Sequence, residues 1–310
     1  MKYLIISTNA LGDTYLSAVA IRVIKNYDKK AEIDFLSTSK CLPILELLPL
    51  NNIFIIHKNI FKLIFHSIKI RIHTYDFVFT FFPGLVNSLF YLVSKGNKKG
   101  GYVNFIRHSE WYNEKQEVLV KGALSRNLVW LPGNNYLDRI KFPLSVFWDL
   151  SCNNCFQKKI MEINISTSEF SDSILVHPFS RSKERALNQA CLKKLVGHLE
   201  EYNRVFVIGQ TDNFLDFKDS TIQQLSNLNF KELAEAIVSC KLFIAVDSFP
   251  IHIADAHNSN FIGLFGPTNP ESVLVNHQNA IKLKTKRIDQ FSFENMLNEL
   301  EEPLQRMLKN

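Results

Sequence analysis

The stretch LFIAVDSFPIHIADAHNSNFIGLFGPTNP, residues 242–270, reads as a strand, a polar turn, a helix and a second strand in one unit. Residues 242–246 form an unbroken apolar run of the kind buried on both faces of a parallel sheet, and Asp247 and Ser248 follow at its carboxyl end. Pro250 suits the first turn of a helix predicted over 251–257. Residues 261–265 read as the next parallel strand, closed by Gly266, Pro267 and Thr268. Two strand ends then open side by side onto the crevice where open α/β sheets hold nucleotides and other ligands.

The same alternation runs outward from this unit over the whole chain. In the first half, strands are predicted at 2–7, 32–36, 53–56 and 77–81, with helices at 15–26, 43–48, 60–72 and 85–93. Residues 103–135 are less regular, and 136–150 reads as helix. A segment rich in Asn, Ser, Lys and Thr, 151–173, joins a second series with strands at 173–176, 204–208, 242–246 and 261–264 and helices at 188–200, 230–239 and 251–257. Repeated βα units imply parallel sheets covered by helices on both faces, here in two similar domains, 1–168 and 169–310. Residues 292–308 carry an apolar stripe (Phe293, Met296, Leu297, Leu300, Leu304, Met307), the mark of an amphipathic helix that can also cross back over the first domain.

Composition excludes several classes. A chain of 310 residues with 46% hydrophobic and 21% charged residues is a globular protein large enough for two cores. Its longest apolar runs fall short of the ~20 residues that span a bilayer. The sequence passes from Met1 and Lys2 directly into a strand with no secretory pattern, so a cytoplasmic location is expected. Five cysteines, an odd number, are scattered over the chain and read as reduced thiols. Cys152 and Cys155 have zinc-ligand spacing, but no second pair completes four ligands, so no metal is expected.

The net charge of +6 is unevenly placed. Residues 1–168 hold 21 Lys and Arg against 12 Asp and Glu, a balance of +9, whereas 169–310 hold 15 against 18, a balance of −3. The first half therefore suits an anionic partner, or is simply kept soluble by its lysines. Within it, residues 57–73, HKNIFKLIFHSIKIRIH, interleave Lys58, Lys62, Lys69 and Arg71 with Phe and Ile. A helix of this kind can cover a sheet, lie on an anionic membrane surface, or do both.

Neither a G-x-G-x-x-G after the first strand nor a P-loop occurs, which speaks against a dinucleotide dehydrogenase or a P-loop kinase. After that strand come Gly12, which permits a tight turn, and Asp13. An Asp at a helix start is a good cap, and a carboxylate at the mouth of a sheet can equally act as a general base. The strand end at His177 and Pro178 is followed by Arg181, Lys183 and Arg185, either a solvated loop or cations aimed at an anion. His252 is either a histidine satisfied on an inner helix face or a ligand contact.

Three segments together, IISTNALGDTYLSAVAIRVIKN, ILVHPFSRSKERALN and VDSFPIHIADAHNSNFIGLFGPTNP, resemble glycosyltransferase family 9, the ADP-heptose:lipopolysaccharide heptosyltransferases. The resemblance implies a GT-B architecture, two Rossmann-like domains facing each other across a cleft, with the acceptor on the first domain and the nucleotide-sugar on the second. It implies inverting, metal-independent transfer with no cofactor, from an ADP-sugar to an anionic lipopolysaccharide-type acceptor; the peripheral membrane contact suggested by residues 57–73 is compatible with it, and no nucleic-acid partner is expected. By resemblance, Asp13 deprotonates the acceptor, Asp247 and His252 contact the donor sugar, and Ser248, Arg185 and Lys183 meet the diphosphate. His177, Gly266 and Thr268 then form the turns on the nucleotide side.

The chain departs from the family at three places. Phe179 follows H-P and Phe249 follows D-S, where the family has Gly, and the Trp after the basic residue is absent. A Phe at either place can block a phosphate or stack on the adenine. These departures keep two alternatives open, a different donor or acceptor (including protein) and an inactive scaffold of the same fold.

Overall fold

The computed structural model describes residues 1–57, 59–82, 84–102, 116–121, 128–131, 136–145, 147–148, 169–212 and 222–309. The chain divides into two compact units, Met1–Met161 and Glu162–Asn310. Cys152 and Cys155 lie outside the described residues.

In the first unit, strands β1 (Lys2–Ile6), β2 (Glu32–Thr38), β3 (Asn52–Ile56), β4 (Thr74–Thr80), β5 (Lys95–Tyr102), β6 (Gln116–Lys121) and β7 (Leu128–Leu131) form one sheet in the order β3-β2-β1-β4-β5-β6-β7. The first five are parallel, while β6 runs antiparallel to β5 and β7 antiparallel to β6. Helices α1 (Leu11–Tyr27), α2 (Leu42–Leu45), α3 (Ile60–Ile72) and α4 (Leu85–Val93) supply the crossovers, and α5 (Tyr136–Ser145) packs beside α1 and β5. Leu4, Ile6, Leu36, Val78, Phe90 and Tyr91 are fully buried between this sheet and its helices. β5, KGNKKGGY, has no apolar run to announce it. It pairs because glycine admits its neighbours: a Cβ on Gly100 would stand 2.9 Å from the Pro143 carbonyl oxygen.

The second unit has strands β8 (Ser173–His177), β9 (Arg204–Gly209), β10 (Gln223–Ser226), β11 (Leu242–Val246), β12 (Phe261–Phe265) and β13 (Ala280–Lys282), all parallel, in the order β10-β9-β8-β11-β12-β13. Its helices are α6 (Gln189–Glu200), α7 (Phe230–Ser239), α8 (Phe249–Ala256) and α9 (Phe293–Lys309). β11 and β12 are buried at every residue, as their unbroken apolar runs require. The last helix packs on its own unit: Met296, Leu300, Leu304 and Met307 join the core that holds Leu195, Leu199, Ile262 and Leu264. Lys194 pairs with Glu294 at 2.6 Å, and His198 lies 3.1 Å from Glu301, along the same seam.

Both units are doubly wound α/β sheets. Chain order reverses between β1 and β4 in the first and between β8 and β11 in the second, and such a reversal opens a crevice at the carboxyl ends of the strands.

Candidate functional site

In the second unit the reversal point collects charged and polar groups from four neighbouring strands. His177 ends β8, Asp247 and Ser248 follow β11, Gly266 to Thr268 follow β12, and Lys282 ends β13. The Nδ1 of His177 lies 3.0 Å from the Ser248 hydroxyl, which also stands 3.0 Å from the Val246 carbonyl oxygen. One hydroxyl proton serves one of these acceptors at a time, so the His177 tautomer is set by whichever receives it. Burial pushes the pKa of His177 down to about 4, so the ring is neutral at pH 7.

The loop after β8 brings in the cation. Lys183–Arg185 form a short 3-10 turn, and just beyond it Leu187 is buried in the core while its N–H donates to the Pro178 carbonyl at 2.9 Å. Burying a leucine side chain is worth roughly 1.5–3 kcal/mol, which anchors this end of the loop. Asn188 continues the anchor by capping α6 at the Cys191 N–H, 2.8 Å away, and donating to the Asp289 carbonyl at 2.9 Å. From this frame Arg185 Nη1 reaches Asp247 Oδ2 at 2.9 Å, and Ser180 Oγ donates to the Asp247 carbonyl at 3.2 Å. Asp247 is buried, so its ion pair is made in a poorly solvated place. Lys183 and Arg181 are exposed, and Lys183 lies toward Asp289. The structure therefore brings Arg185 to the strand ends and leaves Lys183 at the rim.

Lys282 was not singled out by any sequence signal. Its ammonium donates to the carbonyls of Gly266 and Thr268, at 2.9 Å for the latter, and so clasps the turn after β12. Burial holds its pKa below the usual lysine value, an effect opposed by the nearby Asp247 carboxylate. Gly266 is required by packing, since a Cβ there would stand 2.6 Å from Ile288 Cγ1. Asp255 is a second residue that pattern reading missed. Buried on α8, it accepts the N–H groups of Val275 and Asn276 at 3.0 and 2.9 Å and ties down the loop beyond Thr268. Burial pushes its pKa up to about 6, against the lowering effect of those two N–H groups.

α8 starts at Phe249 with Ser248 as its N-cap residue, and the Ser248 side chain makes no capping bond to the first turn. Phe249 is therefore already helical, and its ring lies 6.1 Å from that of Phe230 on α7. Phe179 lies edge-on to His177 at 6.0 Å and packs against the core. His252 is buried one helical turn beyond Ser248.

In the first unit, Asp13 occupies the first turn of α1, at the corresponding reversal point. Its carboxylate accepts the Ala10 N–H at 3.5 Å, the long limit of a hydrogen bond, so the cap is weak. A buried polar network stiffens the loop before it. The Thr8 N–H and hydroxyl both reach Asn87 Oδ1, at 2.8 and 2.7 Å, and the Ser37 hydroxyl donates to the Ser7 carbonyl at 2.7 Å. Gly84 lets the β4–α4 loop close on this one, since a Cβ would stand 2.8 Å from Asn9 Oδ1.

Residues 178–299, which contain the Arg185–Asp247 pair and all of α8, match the model of glycosyltransferase family 9 (heptosyltransferase). Over that segment, about two fifths of its length, the chain is similar to family 9. No curated protein matches it. Solved structures show the fold: a family 9 glycosyl transferase from Veillonella parvula superposes with a TM-score of 0.70 at 15% identity, over 98% of this chain and 97% of that one. The E. coli heptosyltransferase WaaC, solved with ADP-2-deoxy-2-fluoro heptose, gives 0.68 at 12% identity, covering 97% and 99%. E. coli ADP-heptose lps heptosyltransferase II gives 0.63 at 17%, covering 99% of each. The fold is thus the one these neighbours share, the GT-B arrangement of two Rossmann-like domains. The matched segment contains every predicted donor-side residue except His177, which precedes its first residue.

Proposed function

We propose that the protein is an inverting glycosyltransferase that moves heptose from ADP-heptose to a lipopolysaccharide inner-core sugar on the cytoplasmic side of the membrane. The observation that carries this reading is the family 9 match over the segment that holds Arg185 against Asp247 at a sheet reversal point. Asp13 takes the proton of the acceptor hydroxyl as its oxygen attacks the anomeric carbon. The bond from that carbon to the diphosphate oxygen breaks on the opposite face, and ADP leaves with the electron pair. No D-x-D sequence is present to hold a metal on the diphosphate, so its charge falls to the protein. Arg185 supplies a cation, with Lys183 at the rim, and Ser248 and the amino end of α8 supply hydrogen-bond donors and a favourable dipole. Asp247 and His252 hold the sugar, and the turns at His177, Gly266 and Thr268 hold the nucleotide.

The test is turnover of ADP-heptose on truncated core acceptors, preceded by thermal shift with ADP, UDP, GDP and CMP. A shift with ADP alone and turnover that Asp13→Asn abolishes are expected. A shift with UDP and none with ADP overturns the heptose donor, and no shift with any nucleotide makes the protein a scaffold. A second reading, another nucleotide-sugar on the same fold, is favoured by Phe249, which stands as the first residue of α8 where the family has Gly.

A further inference from the structure

α3 and α4 lie side by side over the first sheet, and each turns an apolar row away from it. On α3, Ile64, Phe65, Ile68 and Ile72 are 56, 67, 58 and 73% exposed, and on α4, Leu85, Leu89 and Leu92 are 62, 37 and 48% exposed. Spacings of three and four residues put each set on one helix face. The inward faces are already satisfied: Ile70, Phe90 and Tyr91 are buried in the core with Leu63, Val86 and Val93 against it. The outward rows are thus surplus to the fold, and adjacent apolar rows on a monomer surface mark an interaction site.

Charge identifies what covers them. Residues 57–101 contain seven Lys and Arg and a single acidic residue, Asp76, whose carboxylate accepts the Lys2 N–H at 2.8 Å. At the carboxyl ends of both helices a recess of about 460 Å³ is lined by Arg71, Leu92, Ser94, Lys95 and Lys99, among others. Arg71 and Lys95 are exposed at its rim. Lys99 is buried beneath, its ammonium donating to the carbonyls of Tyr91 and Leu92 at 2.8 and 3.3 Å. A protein partner that buried the rows would have to be strongly acidic around an apolar centre. A bilayer with anionic headgroups offers both features over a wide area, and two cations beside an apolar row are the arrangement that peripheral helices use on it. Among the described residues no helix is long and apolar enough to cross a membrane, so contact by this face is contact in the interface plane.

We infer that the outward face of α3 and α4, with the recess of Arg71 and Lys95, is a docking surface for an anionic phospholipid bilayer: the apolar rows enter the acyl boundary and the recess takes a lipid phosphate. The inference stands apart from the choice of sugar donor, because every residue in it belongs to the first unit and the donor-side residues belong to the second.

The test is flotation of the full chain with vesicles of phosphatidylcholine alone and of phosphatidylcholine with phosphatidylglycerol, at low and high salt. Binding to the anionic vesicles, weakened by salt, is expected. Arg71→Glu with Lys95→Glu should weaken it about tenfold or more, and Phe65→Glu with Ile68→Glu should do the same. Lys193→Glu, an exposed cation of the second unit, should leave it unchanged. Equal binding to both vesicle types, no binding to either, or equal loss in the Lys193→Glu control overturns the proposal. So does light scattering that shows a wild-type dimer converted to monomer by Ile68→Glu, which would assign the face to a second copy. The Arg71 and Lys95 changes lie at the surface, so they keep the test decisive if the apolar variants do not fold, and nucleotide thermal shift reports separately on the donor site.

Discussion

Arg185 Nη1 lies 2.9 Å from Asp247 Oδ2, joining the loop after β8 to the end of β11 across the point where strand order reverses. The pair makes both residues part of one device: a buried carboxylate at the strand end and a cation held beside it, which in the proposed function meets the donor diphosphate. Arg185→Ala leaves Asp247 buried without this partner and should cost up to ~3 kcal/mol of stability. Turnover should fall by about two orders of magnitude. A double-mutant cycle with Asp247→Asn measures the coupling, and additive effects would show that the contact carries no energy.

Lys282→Met keeps the length of the side chain and removes the clasp on the Gly266 and Thr268 carbonyls. With the β12 turn loosened, nucleotide affinity should weaken about tenfold, the cost of one to two hydrogen bonds. Calorimetric titration with ADP checks this. An unchanged affinity would restrict Lys282 to holding the edge strand.

Asp13→Asn separates cap from base. Because the Ala10 N–H is 3.5 Å from the carboxylate, stability should change by no more than about 1 kcal/mol, the ordinary worth of a helix cap. Turnover should drop by about 10²–10⁴ if the carboxylate takes the acceptor proton. Full activity in Asp13→Asn removes it from the chemistry.

Asp255 has a folded pKa pushed up to about 6 from an ordinary 3.8, so the folded state holds its proton more tightly than the unfolded chain. Its contribution to stability is full below pH 3.8 and is lost as pH rises through about 6. The melting temperature of wild type minus that of Asp255→Asn should therefore shrink from pH 4 to pH 7. A difference that widens over this range would show that the Val275 and Asn276 N–H groups outweigh burial.

His177 titrates the other way. Its folded pKa near 4 lies below the ordinary 6.5, so on acidification the unfolded chain takes up a proton that the folded ring refuses. The stability this neutral ring contributes is present above pH 6.5 and lost as pH falls toward 4. His177→Gln should flatten that acid limb of the melting curve, and an unaltered limb would place the loss elsewhere.

Sequence alone determined the βα alternation, because a strand buried on both faces must be an apolar run and its helix must repeat near 3.6 residues. β11 and β12 come out as predicted, and α3 and α4 come out at their predicted bounds. It also brought out Asp247, Ser248 and Arg185 as polar groups beside strand ends. Only the tertiary structure decided the rest. β5, β10 and β13 carry little apolar signal and exist because a neighbouring strand supplies their hydrogen bonds. Arg185 was separated from Lys183 by a turn whose register depends on the burial of Leu187. Lys282 and Asp255 act through backbone groups 14 to 21 residues away, which no local pattern can show. The same holds for the rows on α3 and α4: periodicity reveals that a helix has an apolar face, but only packing shows which faces the core has covered and which it has left to something else.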